Sequence, residues 1–130
     1  MNQAPTGKIA FKKFIPGIAW FFLVMVLICL PGNDLPTVDD WLSLIYFDKW
    51  VHAGLFGMLT MLFIYPFLKA PGNRWLMAIR IAIAVSLWGL TTEFIQKFFV
   101  PGRNFDMLDW AADSFGALVG LLFMKWRFIK

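Results

Sequence analysis

Apolar residues run along this chain in four blocks, at about 14–30, 48–68, 75–98 and 107–128, separated by Pro- and Gly-containing connections. At 1.5 Å of rise per residue, each block is near the length needed to cross a hydrocarbon core roughly 30 Å thick, so the pattern predicts four transmembrane helices. Pro16 falls in the first turn of the first block, and Pro31-Gly32 closes it. Between Pro31 and Phe47 lies the one long connection, where Asp39 and Asp40 are placed to cap a short helix, Trp41 to Phe47, lying at the membrane interface. The expectation is an all-α, four-transmembrane-helix bundle forming a single unit over residues 1–130, with no room for a soluble domain. Lys8, Lys12 and Lys13 precede the first block, but no small-x-small cleavage site follows, so that block is expected to stay as a span.

Composition supports a lipid environment. Apolar residues make up 60% of the chain and charged residues 15%, with a mean hydropathy of +0.69, leaving too little polar surface to cover a water-soluble domain. The net charge of +4 is not concentrated in a basic domain, and 15 Phe and 7 Trp point to a bilayer partner rather than nucleic acid. The tryptophans are expected mainly at the lipid face and interface. Oligomeric state is left open by the sequence.

Charge distribution orients the bundle. Lys8, Lys12, Lys13, Lys69, Arg74, Arg80, Lys125, Arg127 and Lys130 lie around the two termini and the second connection, without an acid among them. All 8 acidic residues lie near the other face, together with Lys49, Lys97 and Arg103. Because basic residues are retained on the cytoplasmic side, both termini are expected to be cytoplasmic and the acid-bearing connections extracytoplasmic.

The polar residues within the blocks are not scattered. At 100° per residue, Lys49, His52, Ala53, Phe56 and Thr60 fall on one stripe of the second helix, and Gly89, Glu93, Gln96 and Lys97 share a face of the third. Asp106, Asp109, Asp113, Gly116 and Gly120 form a stripe on the fourth. Charged groups are costly against lipid, so the three stripes should face one another and converge near the outer boundary of the bilayer. Gly116-xxx-Gly120 is read as a close-packing device.

In order and spacing, Asp48-Lys49-x-x-His52-x-x-x-Phe56-x-x-Leu59, then Glu93-x-x-Gln96, then Pro101-x-Arg103-x-x-Asp106-x-x-Asp109 and Asp113-x-x-Gly116-x-x-x-Gly120 together resemble the VanZ-like family of small bacterial membrane proteins. The resemblance covers roughly residues 48–120. It implies a multi-pass protein of the bacterial cytoplasmic membrane, and because the family's namesake is associated with teicoplanin resistance, it also implies a connection to the cell envelope.

Each polar residue carries a structural and a functional reading. Asp48 is an N-cap of the second helix, and Asp106 with Asp109 a capping pair for the fourth. Arg103 neutralises Asp106 or Asp109, or else holds an arriving phosphate or carboxylate. Lys49 snorkels, or pairs with Glu93 or a lipid phosphate. Asp113 pairs with Lys49, Lys97 or Arg103, orients His52, or contributes to a carboxylate-lined cation site. His52 and Glu93, embedded ionisable groups at one level, are candidates for general acid–base work, with Asp109 grouped with them. Lys49, Gln96, Arg103, Asp106 and Asp113 are candidate ligand-binding residues. Glycine-rich phosphate loops and a Gly-x-Ser-x-Gly elbow are absent. No cofactor is expected; His52, Glu93 and Asp109 or Asp113 are a set that could hold a metal with open positions, but none is assigned, because Lys49 and Arg103 would compete for the same carboxylates.

Three functions remain: an enzyme acting on an anionic lipid head group or envelope precursor, a non-catalytic binding or interaction protein using the same pocket, and an ion-pair network that only fixes helix packing.

Overall fold

A computed structural model describes residues 7–31 and 47–130. Four helices make up nearly all of it: α1 (Ile15–Ile28), α2 (Phe47–Ile64), α3 (Arg74–Phe99) and α4 (Met107–Phe128). A 3-10 turn, Phe11–Phe14, leads into α1, and another, Tyr65–Phe67, extends α2. The four apolar blocks therefore become four helices long and apolar enough to cross a membrane. Save for Phe47, the expected interfacial helix lies outside the described residues, as do Asp34, Asp39 and Asp40.

Local chemistry sets the boundaries. Pro66 has no amide to donate and ends the α-helical part of α2 in a tight turn. The chain reverses at Gly72, whose φ of 96° is strained for any side chain, and Asn73 then caps α3 by accepting the Leu76 amide at 3.0 Å. A second positive-φ glycine, Gly102, turns the chain between α3 and α4.

The centre of the bundle is the contact between α2 and α4, built on glycine. A Cβ on Gly116 would run into the Ala53 carbonyl, and one on Gly120 would lie 2.6 Å from the Gly57 carbonyl. Side chains would force the two helices apart, so the Gly116-xxx-Gly120 pair does act in packing. Val24, Ile28, Phe56, Leu59, Val85 and Ala117 form one buried cluster, and Ile64, Ala78, Ala82, Leu121, Met124 and Ile129 a second. Polar ties supplement them. The Trp20 indole donates to the Leu55 carbonyl at 2.9 Å, fastening α1 to α2, and the Trp110 indole donates to the Ser86 carbonyl at 3.0 Å. Those two tryptophans thus serve between helices, whereas Trp50 and Trp126 are exposed, as expected of lipid-facing or interfacial rings.

The outer faces are apolar. Phe22, Val26, Ile83, Leu87 and Leu122, all within the helices, are each more than half exposed. Large apolar groups on every outer face suit acyl chains and not water, so the chain is a multi-pass membrane protein. Gly7 lies beside Pro71 and the Lys125 ammonium sits 5.1 Å above the Trp75 ring, so both described ends of the chain share the end of the bundle that holds the α2–α3 turn. The α3–α4 connection, with Asp106, lies at the other end.

Candidate functional site

At that acid-bearing end, α2, α3 and α4 each bring ionisable groups inward. Lys49, in the first turn of α2, extends to three carboxylates: Asp109 at 2.6 Å, Asp48 at 2.7 Å and Asp106 at 2.8 Å. One turn further along α2, His52 Nδ1 lies 2.8 Å from Asp113 Oδ1, and its Nε2 lies 3.7 Å from Asp109 Oδ2. The imidazole is thus held between two acids spaced one turn apart on α4, which follows from their i, i+4 separation.

Glu93 approaches from α3. It is fully buried, and its Oε2 accepts the backbone amide of Asp106 at 3.0 Å. Asp106 is the N-cap of α4, with Oδ1 accepting the Leu108 amide at 2.9 Å. In a capping box, Asp109 would reach back to the Asp106 amide. Here Glu93 takes that place from the neighbouring helix, freeing Asp109 for Lys49 and His52. The hydrogen bond from Lys49 holds the Asp106 carboxyl below its ordinary value of 3.8, despite the opposing effect of partial burial.

Two further candidates are tied to α1. Gln96, almost completely buried, donates to the Ile28 carbonyl at 3.1 Å, and Arg103 Nε donates to the Leu30 carbonyl at 3.3 Å. Both bonds satisfy carbonyls at the end of α1, where a helix lacks intrahelical donors. No polar residue of α1 marks this role, so only the burial of Gln96, which requires an acceptor, could have signalled it.

The sequence-predicted residues His52, Glu93, Asp109, Lys49, Gln96, Arg103, Asp106 and Asp113 therefore gather at one end of the bundle, but several pairings differ from expectation. Asp48 lies inside the first turn of α2 and not at its cap. Lys49 bonds Asp48, Asp106 and Asp109 in place of Glu93, whereas Asp113 meets His52, one of the roles expected for it, and not Lys49, Lys97 or Arg103. Arg103 forms no ion pair among the described residues, and its Nε donates to a backbone carbonyl. Lys97 stays outside the cluster, exposed and 5.2 Å from the Phe98 ring centroid.

Gly89 has a specific part in the site. A Cβ there would lie 2.9 Å from both Cβ and Oδ2 of Asp113, so the missing side chain lets the Asp113 carboxylate rest against α3, one turn from Glu93. Beside the cluster, a cavity of about 450 Å³ opens between α1 and α2. Leu27, Leu30, Phe47, Val51 and Leu55 give it apolar walls, while Asp48, His52, Gln96 and Arg103 supply polar groups, the Asp48 carboxylate being paired with Lys49.

No family profile matches the chain, and no curated protein or solved structure is significantly similar to it.

Proposed function

We propose that this chain is a VanZ-like protein of the bacterial cytoplasmic membrane, with both termini in the cytoplasm. Its acidic end faces outward and binds an anionic lipid head group or lipid-linked envelope precursor. The observation that carries the reading is the two-part cavity beside His52: apolar walls that suit an acyl or prenyl chain, and a polar margin of His52, Gln96 and Arg103, where the one acid, Asp48, is already neutralised by Lys49. Arg103 is the group for the anion. With Nε committed to Leu30, its terminal nitrogens retain the paired geometry that fits phosphate or carboxylate oxygens. The positive-inside distribution supports the orientation, and the order and spacing of residues 48–120 support the family reading.

A catalytic version is favoured by one further feature. Asp113, when ionised, fixes a proton on His52 Nδ1 and leaves Nε2 basic, the arrangement by which a carboxylate orients a general base. Glu93 and Asp109 complete that candidate set. The Lys49 network, by contrast, reads as structural, because its ammonium already has three carboxylate partners.

Nanodisc-embedded protein incubated with bacterial envelope lipids and analysed by native mass spectrometry tests the binding. The expected result is a saturable anionic lipid adduct that is lost in Arg103→Ala; equal occupancy in the variant overturns the assignment. A covalently altered lipid that disappears in His52→Ala would identify catalysis. A change in teicoplanin susceptibility of cells expressing the chain is the corresponding physiological readout.

A further inference from the structure

Two carboxylates in the cluster are left without enough partners. Glu93 and Asp113 are both completely buried, and each uses only one oxygen: Glu93 Oε2 for the Asp106 amide, Asp113 Oδ1 for His52. Glu93 Oε1 and Asp113 Oδ2 are buried with no hydrogen-bond donor among the described residues. A buried carboxylate oxygen lacking a donor is costly, so such a pair calls for a proton or a cation. The nearest ammonium cannot serve both roles, since Lys49 is held by Asp48, Asp106 and Asp109. Arg103 pairs with neither acid, its Nε donating to the Leu30 carbonyl. The competition that argued against a metal in the sequence therefore does not reach these two acids.

We infer that His52, Glu93 and Asp113 form a binding site for one first-row divalent cation of the zinc or manganese class. One ligating atom from each residue lies within 4.8 Å of the other two. Around an ion bound at about 2.0–2.2 Å, neighbouring ligand atoms stand roughly 3 Å apart, so side-chain torsions need close the set by only about 2 Å. Three different helices supply the donors, which fixes them in space without a flexible loop. Charge balances as well: a neutral imidazole and two carboxylates match a divalent ion. The imidazole favours a transition metal over magnesium or calcium, whose sites are built from oxygen alone. Three protein ligands leave coordination positions open on an ion adjoining the His52-lined cavity, where a phosphate or water could complete the shell. The cation site itself does not depend on the lipid reading.

The test uses the full chain, without an affinity tag, in nanodiscs stripped with EDTA and titrated calorimetrically with ZnCl₂ and MnCl₂ in the absence of added envelope lipid. One equivalent per chain should bind at least one of the two metals, with a rise in the unfolding temperature of the wild type. Glu93→Gln and Asp113→Asn should each weaken binding at least tenfold, whereas Lys97→Gln, exposed and outside the cluster, should leave it unchanged. Absence of saturable binding of both metals overturns the site, as does equal affinity in the Glu93 and Asp113 variants. Zinc X-ray absorption on the wild-type protein provides a readout independent of variant folding. The chain has 1 His and 1 Cys, so the expected shell holds a single imidazole with oxygen ligands, and sulfur or an all-oxygen shell would refute the assignment. Metal binding without lipid adducts would reject the proposed ligand and retain this site; lipid adducts that persist in EDTA with no metal uptake would do the reverse.

Discussion

The two ends of the bundle handle charge in contrasting ways. At the acid-bearing end, Lys49, His52, Asp109 and Asp113 turn inward and meet across helices, with contacts of 2.6 Å and 2.8 Å. At the other end, the Lys125 ammonium lies over Trp75, and Arg74 donates to the Leu68 carbonyl. Every ion pair among the described residues belongs to the first end. Location relative to the bundle axis, more than the number of charges, separates a potential site from a topological anchor. Outward basic groups can stay hydrated or meet lipid phosphates, whereas inward groups must be answered by one another or by a ligand.

The sharpest way to break this contrast is Lys49→Met. It removes the shared cation from three carboxylates, two of them at least partly shielded, and should lower stability in detergent by roughly 2–4 kcal/mol, between the costs of breaking exposed and buried pairs. Thermal unfolding followed by circular dichroism would show it, and an unchanged midpoint would mean that the network contributes nothing. Gly116→Ala tests the seam that joins the two ends. Its new methyl meets the backbone of Ala53, which cannot swing aside, so a loss of about 1–3 kcal/mol is expected by the same assay.

Smaller effects refine the picture. The Asp106 carboxyl titrates below its ordinary value in the folded state, so its contribution is present above about pH 3.8 and is lost as the pH falls through the lower folded value. Unfolding midpoints measured between pH 6 and 3 should therefore drop less steeply in Asp106→Asn than in wild type. The reverse trend would place the Lys49 contact elsewhere. Lys125→Met, at the other end, should shift stability by no more than about 0.5 kcal/mol. A larger loss would show that this end is also held by its charges.

Much of this was legible from residue order. Block length and Pro/Gly punctuation placed the helices within a few residues, because in a bilayer a spanning segment must satisfy its own backbone. Helical periodicity likewise brought His52, Glu93, Asp109 and Asp113 to one level. The exchange of partners could not be read in the same way. Angular position says that Lys49 faces the third and fourth helices, but whether it meets Glu93 or Asp109 depends on the few ångströms by which glycine contacts set the height of α4 against α2. The capping role of Glu93 was hidden for a related reason, since a cap is normally sought within the first turn of its own helix. Lys97 shows the limit of the stripe argument: it lies at the edge of the predicted face, and its long stem carries the charge out past Phe98.

The glycine seam has a consequence for motion. With carbonyls of α2 seated where side chains of α4 would otherwise stand, neither helix can slide or roll along its partner without driving one main chain into the other. The pair therefore behaves as a single strut. The first helix is fastened by lighter means, since single hydrogen bonds such as those from Trp20 and Gln96 tie it to its neighbours, and the cavity already opens along its flank. Any breathing of the bundle is therefore expected at the first helix rather than across the seam.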